Sequence, residues 1–190
     1  MNNSNIPRIP FRSPNSLRAK SRLAFWWLIE AVFFRPSLHH MNKWRCFLLR
    51  SFGAQVGVNT FINSRAKIWL PWNLKIGSNA GIGFDALIYN LDTVEIGDYA
   101  TVSQRVHINT ASHDYSDPKF QLVTRPVVVG AGAFIGTDSY VGWGVHIGKM
   151  AVIGARSVVT SDQPEFTVCV GHPCKPYKKF NMKYLPENHA

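Results

Sequence analysis

Imidazole is the side chain that exchanges a proton most readily near neutral pH, and His113 stands where that property has a use. It ends the string Thr110-Ala-Ser-His113, at the entrance to a stretch from about Asp114 to Pro126 that follows no regular pattern. A base there can take the proton of a hydroxyl group, which is a weak nucleophile until that proton leaves. A hydroxyl-bearing ligand also needs partners. Asp85, Asn90 and Asp92 offer hydrogen bonds, and Tyr89, Tyr115 and Phe120 offer flat apolar faces, although a corner Asp or Asn is more often a turn former. His107, His146 and His172 are of the residue type that binds metals, with solvated or stacking side chains as the plain alternative. Cys46, Cys169 and Cys174 are an odd set without short metal-ligand spacing, a usage that fits a reducing compartment rather than a disulfide framework.

A repeat positions these residues. Aliphatic side chains recur every six positions at Val56, Ile62 and Ile68; at Ile76, Ile82 and Ile88; at Ile96, Val102 and Ile108; and at Val129, Ile135, Val141, Ile147, Ile153 and Val159. Glycine often follows the aliphatic residue, as at Gly57, Gly97 and Gly136, and a small residue such as Ala66, Ala80 or Ser139 often stands four places after it. A period of six is neither the 3.6 of a helix nor the simple alternation of a half-buried strand. It fits a coil with three flat faces, in which each hexapeptide makes one short strand and one corner. The aliphatic side chain points inward, the small residue fills the space beside it, and glycine tolerates the corner backbone.

The steps from Val56 to Ile76 and from Ile76 to Ile96 are 20 residues, and that from Ile96 to Val129 is 33. One long structureless loop is therefore expected over about 114–126, and such an excursion in a compact repeat is more often functional than decorative. A stalk with no chemistry is the competing reading of any solenoid.

The 190 residues include 21 Lys+Arg against 11 Asp+Glu, a formal charge of +10, with 46% hydrophobic and 17% charged residues, which excludes a disordered chain. The charge is uneven. Residues 1–50 hold nine Lys/Arg and one Glu, residues 51–164 eight of each sign, and residues 165–190 four Lys and two Glu. The repeat itself is neutral, and no zinc-finger spacing, RNP-like string or basic heptad accompanies the excess, so nucleic acid is not an expected partner.

Pro7, Pro10 and Pro14 precede the apolar run Leu23 to Phe34, and no small-residue cleavage site follows it. That is not the pattern of a secretion signal, and cytoplasm is the expected compartment. The run is too short to span a bilayer. Phe25, Leu28, Ile29, Val32 and Phe33 predict an amphipathic helix stopped by Pro36. A second helix is expected between a Ser37 cap and a terminal Gly53, with Leu38, Met41, Arg45 and Leu48 on one face. Either these helices pack on the body or on another subunit, or Trp26, Trp27 and the basic residues meet a membrane interface.

Four strings occur in order: Thr110-Ala-Ser-His113-Asp-Tyr, Pro126-Val-Val-Val-Gly130, Ile153-Gly-Ala-Arg-Ser-Val-Val-Thr160 and Val170-Gly-His-Pro-Cys-Lys175. Over about residues 50–180 the chain resembles the hexapeptide-repeat acyltransferases. Within them it is most similar to the sugar O-acetyltransferase branch and its colanic-acid biosynthesis acetyltransferase group, which Trp44 to Arg50 also resembles. The resemblance implies an all-β main body, a left-handed parallel β-helix with N-terminal α-helices and one inserted loop, assembled as a homotrimer. It divides the chain into a basic helical segment (1–53), the β-helix (54–164) and a closing segment with tail (165–190).

The implied reaction is acetyl-CoA-dependent O-acetylation of a saccharide hydroxyl, in exopolysaccharide or envelope-glycan synthesis. His113 would act as general base in direct attack, without an acyl-enzyme. Gly136, Thr137, Ala155, Thr160 and Lys175 match positions that contact acetyl-CoA in a groove between subunits, and Arg156, Lys178 and Lys179 suit its phosphates. Asp85, Asn90 and Tyr115 are the candidate acceptor contacts. Two positions depart from the pattern: Phe134 stands where many relatives have Trp, and Ser161-Asp162 replaces a Lys after Thr160. N-acetylation of an amino sugar and O-acetylation of serine share the same fold and donor. Histidines on a β-helix also resemble the γ-class carbonic anhydrases, but the paired His five residues apart is missing, since positions 113 and 118 hold His and Pro. No metal is expected. A lipid-linked acceptor at the inner membrane face would give the basic N-terminal segment a purpose.

Overall fold

The computed structural model describes residues 16–181. Pro7, Pro10 and Pro14, with the rest of the first fifteen residues, and the last nine residues of the tail lie outside the described residues.

The hexapeptides wind into three parallel sheets. The first face stacks Gln55–Val56, Leu74–Ile76, Val94–Ile96, Val127–Val129 and His146–Ile147. The second stacks Phe61–Ile62, Gly81–Ile82, Thr101–Val102, Phe134–Ile135, Val152–Ile153 and Thr167–Gly171. The third stacks Lys67–Ile68, Leu87–Tyr89, His107–Asn109, Tyr140–Val141 and Val158–Val159. The fifteen aliphatic positions fall into three columns in strict register: Val56, Ile76, Ile96, Val129, Ile147; Ile62, Ile82, Val102, Ile135, Ile153; and Ile68, Ile88, Ile108, Val141, Val159. All but the half-buried Val56 are buried, each contributing roughly 1.5–3 kcal/mol. The small residues Thr60, Ala66, Ala80, Ala86, Ala100, Ala133, Ser139, Ala151 and Ser157 are buried beside them.

Glycine occupies its place in the repeat for a reason other than backbone freedom. The left-handed corner residue stands three places after the aliphatic one and is mostly not glycine: Asn59, Asn79, Asp85, Tyr99, Arg105, Asp138, Met150 and Arg156 all have φ between 54° and 61°. The glycine directly after the aliphatic residue is where consecutive coils touch. A Cβ on Gly97 would lie 2.6 Å from the backbone N of Ala131, and one on Gly130 would lie 2.5 Å from that of Lys149.

The residues beyond the six-residue period all enter at one corner, between the third face and the first. Two extra residues lie between Ile68 and Ile76 and between Ile88 and Ile96, and fifteen between Ile108 and Val129. The long insertion is a built element rather than the expected structureless loop. Ala111–His113 pairs antiparallel with Leu122–Thr124. The tip closes through the Asp114 N–H on the Gln121 carbonyl at 2.8 Å, while Asp114 Oδ1 accepts from the Ser116 N–H and hydroxyl and Asp117 Oδ1 from the Lys119 N–H.

Two helices cover the first coil. Helix α1 (Leu17–Ile29) starts six residues before the apolar run because the Ser16 hydroxyl accepts from the Ala19 N–H, and it continues as a π-helical turn, Glu30–Phe34. Its orientation differs from the expected one. Trp26, Glu30 and Phe34 face inward, whereas Phe25, Leu28, Val32 and Phe33 are about half exposed. The helix is apolar on two sides, and Trp26 decides between them: its indole packs against Phe34 and Phe52 and its Nε1–H donates to the Ile68 carbonyl at 2.9 Å. Trp26 is therefore a core anchor and not an interfacial residue.

Helix α2 (Asn42–Ser51) begins five residues after Ser37, which does not cap it; that hydroxyl donates to the Phe34 carbonyl. Gly53 ends the second helix at φ 95°, as expected. Arg45 is fully buried and bridges the pieces, donating to the carbonyls of Ile62, Leu38 and His39 and to the Ser37 hydroxyl.

Side chains of the two helices bind the open backbone edge of all three first-coil strands: Arg50 at Val56 and Gly57, Asn42 and Arg45 at Thr60 and Ile62, and Trp26 at Ile68. At the other end, Cys174–Lys179 folds back antiparallel on Thr167–Gly171.

Candidate active site

His113 is half-buried on the first strand of the inserted hairpin, paired opposite Leu122. Its Nδ1 lies 2.9 Å from the Phe120 carbonyl oxygen. A carbonyl can only accept, so Nδ1 carries the proton and Nε2 keeps a free lone pair. The imidazole also stacks flat on the Phe120 ring, with centroids 4.5 Å apart and planes 5° from parallel. Two contacts from one residue thus fix both tautomer and ring plane, which is the preparation a general base requires. Phe120, expected as a stacking face for a ligand, stacks on the histidine instead.

The ring borders a cleft of about 520 Å³ with Asp114, Tyr115, Ser116, Thr124, Arg125 and Trp143. Tyr115 is 90% exposed at the tip. Asp114 is held below the usual carboxylate range by its hydrogen bonds from Ser116 and serves the turn. Arg125 lies over the Trp143 ring, 4.6 Å from its centroid. These two residues escaped the sequence reading. A signal existed for Trp143, because Gly142-Trp-Gly144 occupies, one coil later, the corner that carries the insertion.

Beneath the hairpin the same corner holds a polar ladder. Asn90 is fully buried, its amide donating to the Leu70 carbonyl at 2.7 Å and accepting from the Leu70 N–H at 2.9 Å. Thr110, also buried, donates its hydroxyl to the Tyr89 carbonyl and accepts from the Asp92 N–H. Asn90 therefore holds one coil to the next beneath His113. Asp85 forms a two-pronged ion pair with Arg65, at 2.9 and 2.5 Å, on the edge between the second and third faces. Tyr115 is the one acceptor candidate that borders the cleft.

The coenzyme candidates divide between two edges of the third face. Gly136, Thr137, Ala155 and Arg156 stack on the edge joining the second face to the third, and the C-terminal hairpin bearing Lys175, Lys178 and Lys179 rises above it, where the Gly171 N–H bonds the Ser157 hydroxyl. Gly136 is also a coil contact, since a Cβ there would meet the Ala155 N at 2.6 Å. Thr160 lies on the opposite edge, in the coil above Gly142, at the corner of His113.

The remaining histidines are apart from one another. His107 is on the third face, edge-on to Tyr140 at 5.4 Å, and burial pushes it below the ordinary imidazole value. His146 is exposed on the first face and His172 in the C-terminal hairpin. Among the described residues, no group of three His, Cys, Asp or Glu is placed to hold a metal ion. Cys46, Cys169 and Cys174 are free and buried, and burial pushes the Cys169 thiol up to about 11.

Known proteins share this architecture. Residues 126–161 match the family model described as the hexapeptide repeat of succinyl-transferase. The chain is 37% identical over 163 residues to the Escherichia coli K12 protein named as the colanic acid biosynthesis acetyltransferase WcaF, covering 86% of this chain and 87% of that one. A maltose O-acetyltransferase from Clostridium difficile 630 superposes with a TM-score of 0.81 at 28% identity, covering 88% of this chain and 91% of the other. A galactoside acetyltransferase solved in complex with coenzyme A also gives 0.81, at 25% identity, covering 89% and 86%. With the left-handed parallel β-helix of these structures and a relative of this identity along most of its length, the chain belongs to the hexapeptide-repeat acyltransferases.

Proposed function

We propose that this acyltransferase moves the acetyl group of acetyl-CoA to a hydroxyl of a saccharide acceptor, with His113 as general base. The observation that carries the reading is the Nδ1–H bond to the Phe120 carbonyl, which leaves Nε2 as a fixed proton acceptor over an open cleft. The acceptor hydroxyl gives its proton to Nε2 as its oxygen attacks the thioester carbon. The tetrahedral intermediate then collapses, expelling the coenzyme thiolate, which takes the proton back from the imidazolium. Trp143 and Tyr115 give the cleft aromatic surface of the kind that packs on a sugar ring.

Gly136, Thr137, Ala155, Thr160 and Lys175 are the proposed coenzyme contacts. Their division between two edges supports a homotrimer, in which one subunit's edge of Gly136 and Ala155 faces its neighbour's His113 corner. The name of the Escherichia coli relative supports a role in exopolysaccharide or envelope-glycan synthesis, and the three free, buried cysteines fit a reducing compartment such as the cytoplasm. Peripheral membrane contact is supported by the exposed Phe25 and Leu28 of α1 and Val32 of the π-helical turn, with the exposed cations Arg18, Lys20 and Arg22 earlier in α1. No helix among the described residues is long and apolar enough to cross a membrane.

The test is mass spectrometry of saccharides and lipid-linked oligosaccharides incubated with acetyl-CoA and enzyme. Acetylated product is expected from the parent, with His113→Ala slowed by a factor on the order of 10² to 10⁴ and its coenzyme affinity retained. Turnover at the parent rate in His113→Ala would remove it as the base.

A further inference from the structure

The cleft between α1 and the first coil lies away from His113 and has features that the catalytic reading does not use. It measures about 310 Å³ and is lined by Trp27, Glu30, Ala31, Arg35, Lys67 and Trp69. Trp27 meets Trp69 edge-on with ring centroids 5.3 Å apart, and Lys67 Nζ sits 5.1 Å from the Trp69 centroid. Glu30 is 6% exposed, and its Oε1 is buried without a hydrogen-bond partner among the described residues. Arg35 stands 3.7 Å from that oxygen, outside hydrogen-bond range. Burial pushes the Glu30 carboxyl above its ordinary value although Arg35 and Lys67 act against the shift.

The backbone is unusual at the same place. Glu30 begins the π-helical turn, and the Arg35 N–H reaches back to the Glu30 carbonyl at 2.9 Å. One extra residue in this turn sets both charged side chains on the cleft. A buried carboxylate oxygen with no donor is costly unless something supplies one.

We infer that this cleft binds a pyranose unit of the acceptor glycan, as a second saccharide subsite remote from the acetylated hydroxyl. A pyranose has what the cleft lacks. Its hydroxyls donate to Glu30 Oε1 and accept from Arg35 and Lys67, while its C–H face lies on the indole of Trp27, which is 41% exposed. The inference rests on the saccharide-acceptor reading and extends it in length. Trp69, Tyr89 and Asn109 stand in register on successive coils, with Trp69 and Tyr89 in ring contact at 5.1 Å. Only Thr110 separates Asn109 from the hairpin, so the cleft and the hairpin base are two strand spacings apart along one edge, about 10 Å. A chain of sugars can lie along that edge, one unit in the cleft and another at His113.

The experiment titrates the full-length protein, without acetyl donor, with methyl glucoside, methyl galactoside and maltose and with longer oligosaccharides of glucose and galactose, following saturation-transfer NMR. At least one probe is expected to bind the parent and His113→Ala alike. Its affinity should fall about tenfold or more in Glu30→Gln and be lost in Trp27→Ala, with both variants still folding cooperatively. In transfer assays Trp27→Ala should raise KM for oligosaccharides and leave the rate on single pyranosides as it was. The inference is overturned if no probe binds, if binding ignores both variants and is removed by Trp143→Ala, or if inorganic phosphate displaces the sugar in proportion to its charge. Failure of the catalytic reading looks different: the cleft binds sugar, Trp27→Ala abolishes that binding, and no saccharide is acetylated.

Discussion

His113 depends on a single neighbour, since Phe120 supplies both the carbonyl that orders its tautomer and the ring that fixes its plane. His107 is its opposite, an imidazole whose Nε2 is buried without a partner among the described residues. Burial favours its neutral form, so the folded state takes up this proton at lower pH than the unfolded chain. The stability His107 contributes is complete above the ordinary imidazole value of about 6.5 and is lost as pH falls from there through the folded-state value. Melting curves from pH 7.5 to 5 should therefore flatten in His107→Gln relative to the parent, and parallel curves would show that other groups set the acid limit. At this scale the position of His113 was legible, since the surplus residues begin directly after it and the structure puts it on the first strand of the hairpin. Asn90 was less so. Its residue type could equally bind a hydroxyl or two backbone groups, and only the stacking of coils shows that Leu70 takes both ends of its amide.

Elements were legible where a period enforced them. A six-residue repeat admits one inward column per face, so the fifteen aliphatic positions determined three sheets and their register together. What the period could not carry is the content of its interruptions. Fifteen surplus residues announce an excursion, but the hairpin within it is made by turns at Asp114 and Asp117, whose residue types are common in any loop. Helix α1 failed for a physical reason, because its apolar residues wrap around two sides and the choice between them lies with Trp26 and its carbonyl partner.

The glycines allow a paired test at this scale. Gly130→Ala places a Cβ against the next coil's backbone and should cost about 1–3 kcal/mol, lowering the melting temperature by several degrees. Gly81→Ala, where nothing lies within 4 Å of the added atom, should leave it unchanged. Equal effects would mean that coil contact is not what selects glycine.

The whole molecule divides its charge by function. The β-helix is balanced and ion-paired on its surface, as at Arg65–Asp85, Lys75–Glu95 and Arg105–Asp138, while the helical cap presents cations beside an exposed apolar stripe. Deleting the cap would uncover Trp26 and Phe34, and Phe25 packs on Phe52, so membrane contact is better tested with Leu28→Ser and Val32→Ser together, since both are at least half exposed. The double variant should keep the parent's melting temperature and no longer cosediment with vesicles rich in anionic lipid. Cosedimentation equal to the parent's would assign the stripe to another partner.

The cap has one more consequence. A stack of near-identical parallel coils is open at each end, and its bare strands would accept another copy just as they accept the next coil. Trp26, Asn42, Arg45 and Arg50 occupy those backbone groups at one end, and the strand Cys174–Lys179 shields the second face at the other. Side chains that look like glue between helix and sheet thus also keep the solenoid from polymerising end to end.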